Sequence, residues 1–244
     1  MNEAFVRAVK VGTVDDSIYP FSIPAIKAIE SLDLSASVTF LVGENGTGKS
    51  TLTESIAVAA GFNAEGGTKN YNFATQDTTS SLTDKITLIR GTKREKYGYF
   101  LRAESFYTTA NYAESGTFSA GGPMPIYFDG KRIHEQSHGE AFLSIVKEFR
   151  PGLFVFDEPE SALSPQRQLA LMVAMKQLID QGSQFIIATH SPILLSYPGA
   201  AIYELTGAGI EKTAYNDISH VKLTKDFLNN PEQYLQRLLK DGDA

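Results

Sequence analysis

The sequence predicts an α/β domain with a mainly parallel central sheet flanked by helices. Three observations lead there. Short apolar runs alternate with amphipathic helical stretches along the chain. Three of those runs, Ser37–Val42, Leu153–Phe156 and Gln184–Ala188, are bounded by turn or polar residues, as strands buried on both faces are. Each is followed by a loop dense in polar side chains, and in such sheets ligands bind beyond the carboxyl ends of the strands, so the three loops should meet at one crevice.

The remaining elements follow in chain order. The helical run Leu52–Ala60 stands directly after the loop that follows Ser37–Val42. Asn63–Tyr127 is rich in Gly, Thr, Ser, Asn and Tyr, and reads as hairpins with a small, less regular subdomain. Within it, Ile86–Arg90 and Tyr97–Arg102 read as two strands of a hairpin whose turn carries the densest basic run, Arg90, Lys93, Arg94 and Lys96. Phe142, Ile145, Val146 and Phe149 form a helical stripe closed by Pro151-Gly152. Ser164-Pro165 opens another helix with an N-cap and a first-turn proline, Gly182 ends it, and Leu169, Met172, Met175 and Ile179 are its expected buried stripe. Ala201–Leu205 and Ile210–Ala214 flank Thr206–Gly209 as a hairpin, and the amphipathic Pro231–Leu239 should pack on the domain. With 244 residues, 42% of them hydrophobic, the chain suits a single domain over 1–244.

Composition removes several function classes. No cysteine is present, which excludes disulfides, thiolate metal sites and cysteine nucleophiles and fits a reducing compartment. The four histidines are scattered, unlike a zinc site. A net charge of −6 argues against a broad basic face for nucleic acid and leaves only a local groove, with Arg90–Lys96 as its one candidate. No apolar run approaches the roughly 18 residues of a membrane span, and the N-terminus lacks the basic-then-apolar order of a signal peptide, so the expected location is the cytoplasm without membrane insertion.

The chemistry lies in the three loops. Gly43, Glu44, Asn45, Gly46, Thr47, Gly48, Lys49, Ser50 and Thr51 match G-x-x-x-x-G-K-[ST] between a strand and a helix, the Walker A or P-loop arrangement. Glycines there let the backbone N–H groups face phosphates, and the following helix adds its positive end. Lys49 would reach the β- and γ-phosphates and the Ser50 hydroxyl would ligate Mg²⁺. Asp157 and Glu158 end an apolar strand as adjacent carboxylates, the Walker B arrangement. Asp157 would hold Mg²⁺ and Glu158 would orient or deprotonate the attacking water. His190, 32 residues after Glu158, ends the next strand, and a right-handed crossover returns it beside the phosphates, where it would sense the γ-phosphate.

Together these motifs resemble the ABC-type ATPases. Ser161–Ser164 looks like that family's D-loop, and Gln136-Ser-His-Gly-Glu140 resembles its signature motif, departing from the usual Leu-Ser-Gly-Gly-Gln at Gln136, His138 and Glu140. Ser137-x-x-Glu140 is also a capping box, and the two roles are compatible because a capped helix end offers N–H groups to an anion. The resemblance implies further site residues. Glu104, with Gln76 as a rival, stands where a Q-loop residue near the metal is expected, and Tyr19 or Phe21 stands where an aromatic stacks on adenine. It also implies a small helical or irregular subdomain at about 105–136. Similar wording at Gly66-Gly-Thr-Lys-Asn70 and Phe100–Phe106 resembles compact bacterial ATPases of the ABC/AAA type.

The function this implies is Mg²⁺-dependent ATP hydrolysis by a homodimer that sandwiches two nucleotides head to tail. Each site would join Lys49, Ser50, Asp157, Glu158 and His190 of one chain to Ser137 and Gly139 of the other. The alternative is an ATP-dependent switch for nucleic acid or a toxin-like system, with little turnover of its own.

Overall fold

The computed structural model describes residues 4–69 apart from 14 and 16, together with 80–102, 127–128, 131–132 and 138–239. Its centre is a six-stranded sheet with the order β11-β10-β3-β9-β8-β5. The strands are β3 (Val38–Gly43), β5 (Gly98–Arg102), β8 (Leu153–Asp157), β9 (Gln184–Ala188), β10 (Ala201–Thr206) and β11 (Gly209–Thr213). All neighbours run parallel except β10 and β11, the expected hairpin. β3, β8 and β9 therefore lie side by side with their carboxyl ends at one edge, which is what brings the three loops together.

Side chains alternate across this sheet into two cores. Phe40, Val42, Phe154, Phe156, Phe185 and Ile187 face α3 (His138–Lys147) and α4 (Pro165–Asp180). Leu41, Leu153, Val155, Ile186 and Ala188 pack with Leu52 and Ile56 of α2 (Lys49–Ala59) and Ile26 of α1 (Pro24–Lys27). Burial on both faces is why these strands read as continuous apolar runs. On the α3 side, Phe149, Phe154 and Phe185 form a stack, with successive ring centroids 4.8 Å apart.

A second, antiparallel sheet has the order β2-β1-β4, with β1 (Val6–Val11), β2 (Leu32–Asp33) and β4 (Ile86–Arg90). The Gln184 side chain fastens it to the main sheet. Gln184 is 1% exposed. Its Oε1 accepts from Val6 N–H at 2.9 Å, and its Nε2 donates to Val6 O at 2.8 Å and Leu34 O at 2.6 Å.

Four sequence expectations need correction. The hairpin between 86–90 and 97–102 does not form, because β4 pairs with β1 while β5 pairs with β8. β4 alternates buried and accessible residues, which suits a half-covered antiparallel sheet, whereas β5 is buried from Gly98 to Leu101 and suits the central one. The basic run is thus a link between sheets: Arg90 pairs with Glu95, while Lys93, Arg94 and Lys96 are exposed. In α4 the buried stripe is Gln168, Leu171, Met175 and Leu178, and Leu169 is exposed. A polar residue occupies the first core position because its amide is satisfied there, Nε2 donating to Leu163 O and Oε1 accepting from Ser191 Oγ.

The P-loop helix starts at Lys49, earlier than the apolar run Leu52–Ala60 suggests. Finally, the C-terminal helix α7 (Pro231–Leu238) forms but buries no residue; Tyr234 meets Phe227 and Asp226 of α6 (Ser219–Asn229) and no closer anchor on the domain is seen among the described residues. The two-stranded ladder of β6 (Tyr127–Phe128) and β7 (Lys131–Arg132) falls within the expected subdomain, the rest of which lies outside the described residues.

Candidate nucleotide site

The loop between β3 and α2 is shaped by left-handed glycines at Gly46 (φ 82°) and Gly48 (φ 94°), with Gly43 at φ 156°. At Gly43 the constraint is also steric: a Cβ there would stand 2.3 Å from the Leu205 carbonyl of β10. Glu44 O closes the loop, accepting from Thr47 Oγ1 at 2.8 Å and Lys49 Nζ at 2.9 Å. Lys49 is 4% exposed. Burial pushes its pKa down, and the carboxylates of Glu158, Asp157 and Glu160 oppose that shift.

A cavity of 380 Å³ opens over this loop, lined by Tyr19, Ile23, Asn45, Gly46, Gly48, Lys49, Ser50, Thr51 and Glu158. Its size is that of a small-molecule site. Tyr19 stands at its rim, 67% exposed, with its hydroxyl 3.4 Å from Thr51 Oγ1. Phe21, the other aromatic candidate, is a core residue packed with Ile26 and Leu52, and this removes it from that role.

Glu158 sits at the end of β8 with φ 49° and ψ 52°, the one left-handed non-glycine residue among those described. A side chain in that region costs about 1–3 kcal/mol, and such strain is concentrated at functional sites. The turn brings the Glu158 carboxylate into the Lys49 cavity, with Oε1 3.4 Å from His190 Nε2. The His190 imidazole is held below its ordinary pKa by burial and then by Lys49, while Glu158 works in the opposite direction.

Two neighbours of His190 had no mark in the sequence. Glu160 Oε1 accepts from the His190 N–H at 2.5 Å, and burial raises its pKa against the hydrogen bonds that lower it. His220 of α6 lies with its ring centroid 6.3 Å from that of His190 and hydrogen-bonds the His190 backbone.

The site fits a magnesium nucleotide. The Ser50 hydroxyl side of the cavity and Asp157, 8% exposed at the end of β8, are the oxygen ligands the chain offers. Among the described residues no group of three or more His, Cys, Asp or Glu side chains could hold a metal by itself. Mg²⁺ takes one or two protein ligands and completes its shell with phosphates and water, and a hydroxyl with one carboxylate is a donor set that fits it.

Gly139 is not part of this cavity. It is buried at the start of α3 beneath Arg167, where a Cβ would stand 2.6 Å from the guanidinium, and Arg167 pairs with Glu140 at 3.1 Å. Ser137, Glu104 and Gln76 lie outside the described residues; Arg102, two positions before Glu104, is the register partner of Asp157.

Comparison with known proteins gives a consistent answer. A family model described as "AAA domain" matches residues 22–155, more than half of the chain, and one described as "AAA domain, putative AbiEii toxin, Type IV TA system" matches residues 141–196. A Streptomyces avermitilis protein named "Putative ABC transporter ATP-binding protein" is 28% identical over 179 residues, covering 68% of this chain and 31% of that protein. The galactofuranose transporter ATP-binding protein YtfR of Escherichia coli is 25% identical over 190 residues, covering 68% and 37%. The chain thus spans about a third of the length of the curated relatives it matches. Among solved structures, cbiO1 from Clostridium perfringens, part of the ABC transporter complex cbiONQ, has the same fold with a TM-score of 0.50 at 14% identity, covering 96% of this chain and 100% of that one. No helix among the described residues is long and apolar enough to cross a membrane. With the P-loop, the strand-end carboxylates and the parallel sheet that joins them, the chain belongs to the AAA-domain family within the ABC-type ATPase superfamily.

Proposed function

We propose that this protein is a cytoplasmic ATPase that hydrolyses ATP with Mg²⁺ at the Lys49 cavity and assembles head to tail as a homodimer around two nucleotides. One observation carries the reading: the strained Glu158 turn holds a carboxylate in the same cavity as the P-loop lysine and within 3.4 Å of His190.

The chain's residues divide the work. Backbone N–H groups of residues 43–51 and the α2 N-terminus cradle the phosphates, and Lys49 leaves its resting contact on Glu44 O for the β- and γ-phosphates. Tyr19, at the cavity rim, stacks on the adenine. Ser50 and Asp157 hold the metal, with Glu104 as a further ligand. Mg²⁺, when bound there, would supply positive charge that offsets the charge developing on the transferred phosphoryl group. Glu158 takes the proton of the attacking water, and His190 donates a hydrogen bond to the γ-phosphate. Ser137 and Gly139 of a second copy close the site. The whole chain, 1–244, acts as one domain, with 105–136 as its small subdomain.

Replacing Glu158 by Gln tests this directly. ATP·Mg²⁺ binding by calorimetry should persist, because Lys49, Ser50 and Asp157 remain, while turnover falls by about 10²–10⁴. Parental turnover in Glu158→Gln places the base elsewhere.

The family model matched at 141–196 names a toxin-type system, and this favours a second reading, an ATP-dependent switch with little turnover. Steady-state hydrolysis with and without DNA separates the two: a nucleotide-bound protein that barely turns over in either case is a switch.

A further inference from the structure

The loop that carries His190 is tied to the loop that carries Glu158 by the half-buried Glu160 and the buried Gln168 and Ser191. Glu160 accepts the His190 N–H on Oε1, and its Oε2 is buried without a hydrogen-bond partner among the described residues. One residue further, Ser191 Oγ donates to Gln168 Oε1, and Gln168 Nε2 donates to Leu163 O at 3.1 Å. Thus two successive residues of the histidine loop are fixed to the segment 160–168 that leaves the catalytic strand. Glu160 is half-buried, but shielding even one oxygen of a carboxylate is costly, so a Glu in this place needs a reason beyond filling space. Glu160 does not line the Lys49 cavity.

We infer that Glu160 is a positioning residue, which holds the His190 peptide so that the imidazole stays against Glu158 and the two loops move as one body. The inference rests on the reading of His190 as the γ-phosphate contact. A charge-assisted bond to a backbone N–H is short and directional, and it fixes the Cα of His190 without touching its ring. The ring is then free to serve the nucleotide. A rival role for Glu160 is electrostatic, because its charge is one of three that oppose the shift of Lys49. Glu160→Gln separates them: the amide oxygen still accepts the His190 N–H, but the charge is gone.

The test uses the full chain with Glu160→Ala, Glu160→Gln, His190→Ala and the double variant Glu160→Ala/His190→Ala. Four results are expected. Glu160→Ala lowers kcat by about 10- to 100-fold, the scale of a roughly 1 Å misplacement, with ATP affinity by calorimetry unchanged. Glu160→Gln stays within about threefold of the parent, because a neutral acceptor keeps most of the bond. The double variant is no slower than His190→Ala, as residues acting through one another are non-additive. The His190 amide resonance moves upfield in Glu160→Ala and holds its place in Glu160→Gln.

An unmoved amide in Glu160→Ala, a Gln variant as slow as the Ala variant, or losses that multiply in the double variant would each overturn the proposal. Parental turnover in His190→Ala would refute the role given to His190 by itself. In that case Glu160→Ala must also turn over normally with its amide shifted, and a slowed Glu160→Ala would place Glu160 in some other role. If Glu160→Ala does not fold, Glu160→Asp, which keeps the charge and loses the reach, carries the same comparison.

Discussion

His190 shows how one residue can be readable in part. Its type and its place after a strand are visible in the sequence, as are Lys49, Ser50, Asp157 and Glu158, because phosphate and metal chemistry fixes both residue type and spacing. What holds His190 was not readable, since Glu160 and His220 act on its backbone, a group every residue carries. The aromatic at the cavity was half readable: only the fold separates exposed Tyr19 from buried Phe21. A pH dependence belongs at this scale. Burial lowers the pKa of both His190 and His220 below 6.5, so below that value the unfolded chain binds more protons than the folded one. Stability therefore falls as pH drops from 6.5 through the lowered pKa values, and becomes independent of these two groups beyond them. Urea unfolding at a series of pH values should show this loss, and a His190→Gln/His220→Gln variant should lack that part of it.

Elements were most legible where their ends carry chemical marks. Ser164-Pro165 and Gly182 bracket α4 closely, and the β10–β11 hairpin lies where its turn residues placed it. Pattern reading failed where tertiary contacts satisfy a polar group or redirect a strand. Gln168 fills a core position, and β4 leaves for another sheet, neither of which periodicity can register. Gln184 is the same lesson in a strand: it reads as a boundary residue and is in fact the joint between two sheets. Replacing it by Ala leaves the Val6 N–H and two carbonyls unpaired, which should cost about 2–4 kcal/mol. Gln184→Glu should not restore the loss, because it cannot donate to Val6 O and Leu34 O. Equilibrium unfolding in urea measures both.

At the scale of the molecule, a mainly parallel sheet with three loops meeting at one edge was legible, while the strand order β3-β9-β8 and the placing of β1, β2 and β4 in a separate sheet were not. Gly139 and Glu140, at the start of α3, do not line the Lys49 cavity of their own chain, and the proposed head-to-tail sandwich would bring them to the cavity of a second copy. The Glu158→Gln protein should accordingly be monomeric alone or with ADP and dimeric with ATP·Mg²⁺, and Ser137→Arg added to it should block the shift while leaving ATP bound. Light scattering in the three nucleotide states checks this; one mass throughout would rule out an ATP-driven dimer. The Gln184 joint has a different consequence, one of timing. It binds Val6 to a side chain 178 positions later, so during synthesis at roughly 5–20 residues per second β1 waits on the order of ten to forty seconds for its anchor. Through that interval β1 has its strand partners β2 and β4, complete by residue 90, but not the side chain that fastens their sheet to the main one, so in a nascent chain the small sheet must hold without its joint.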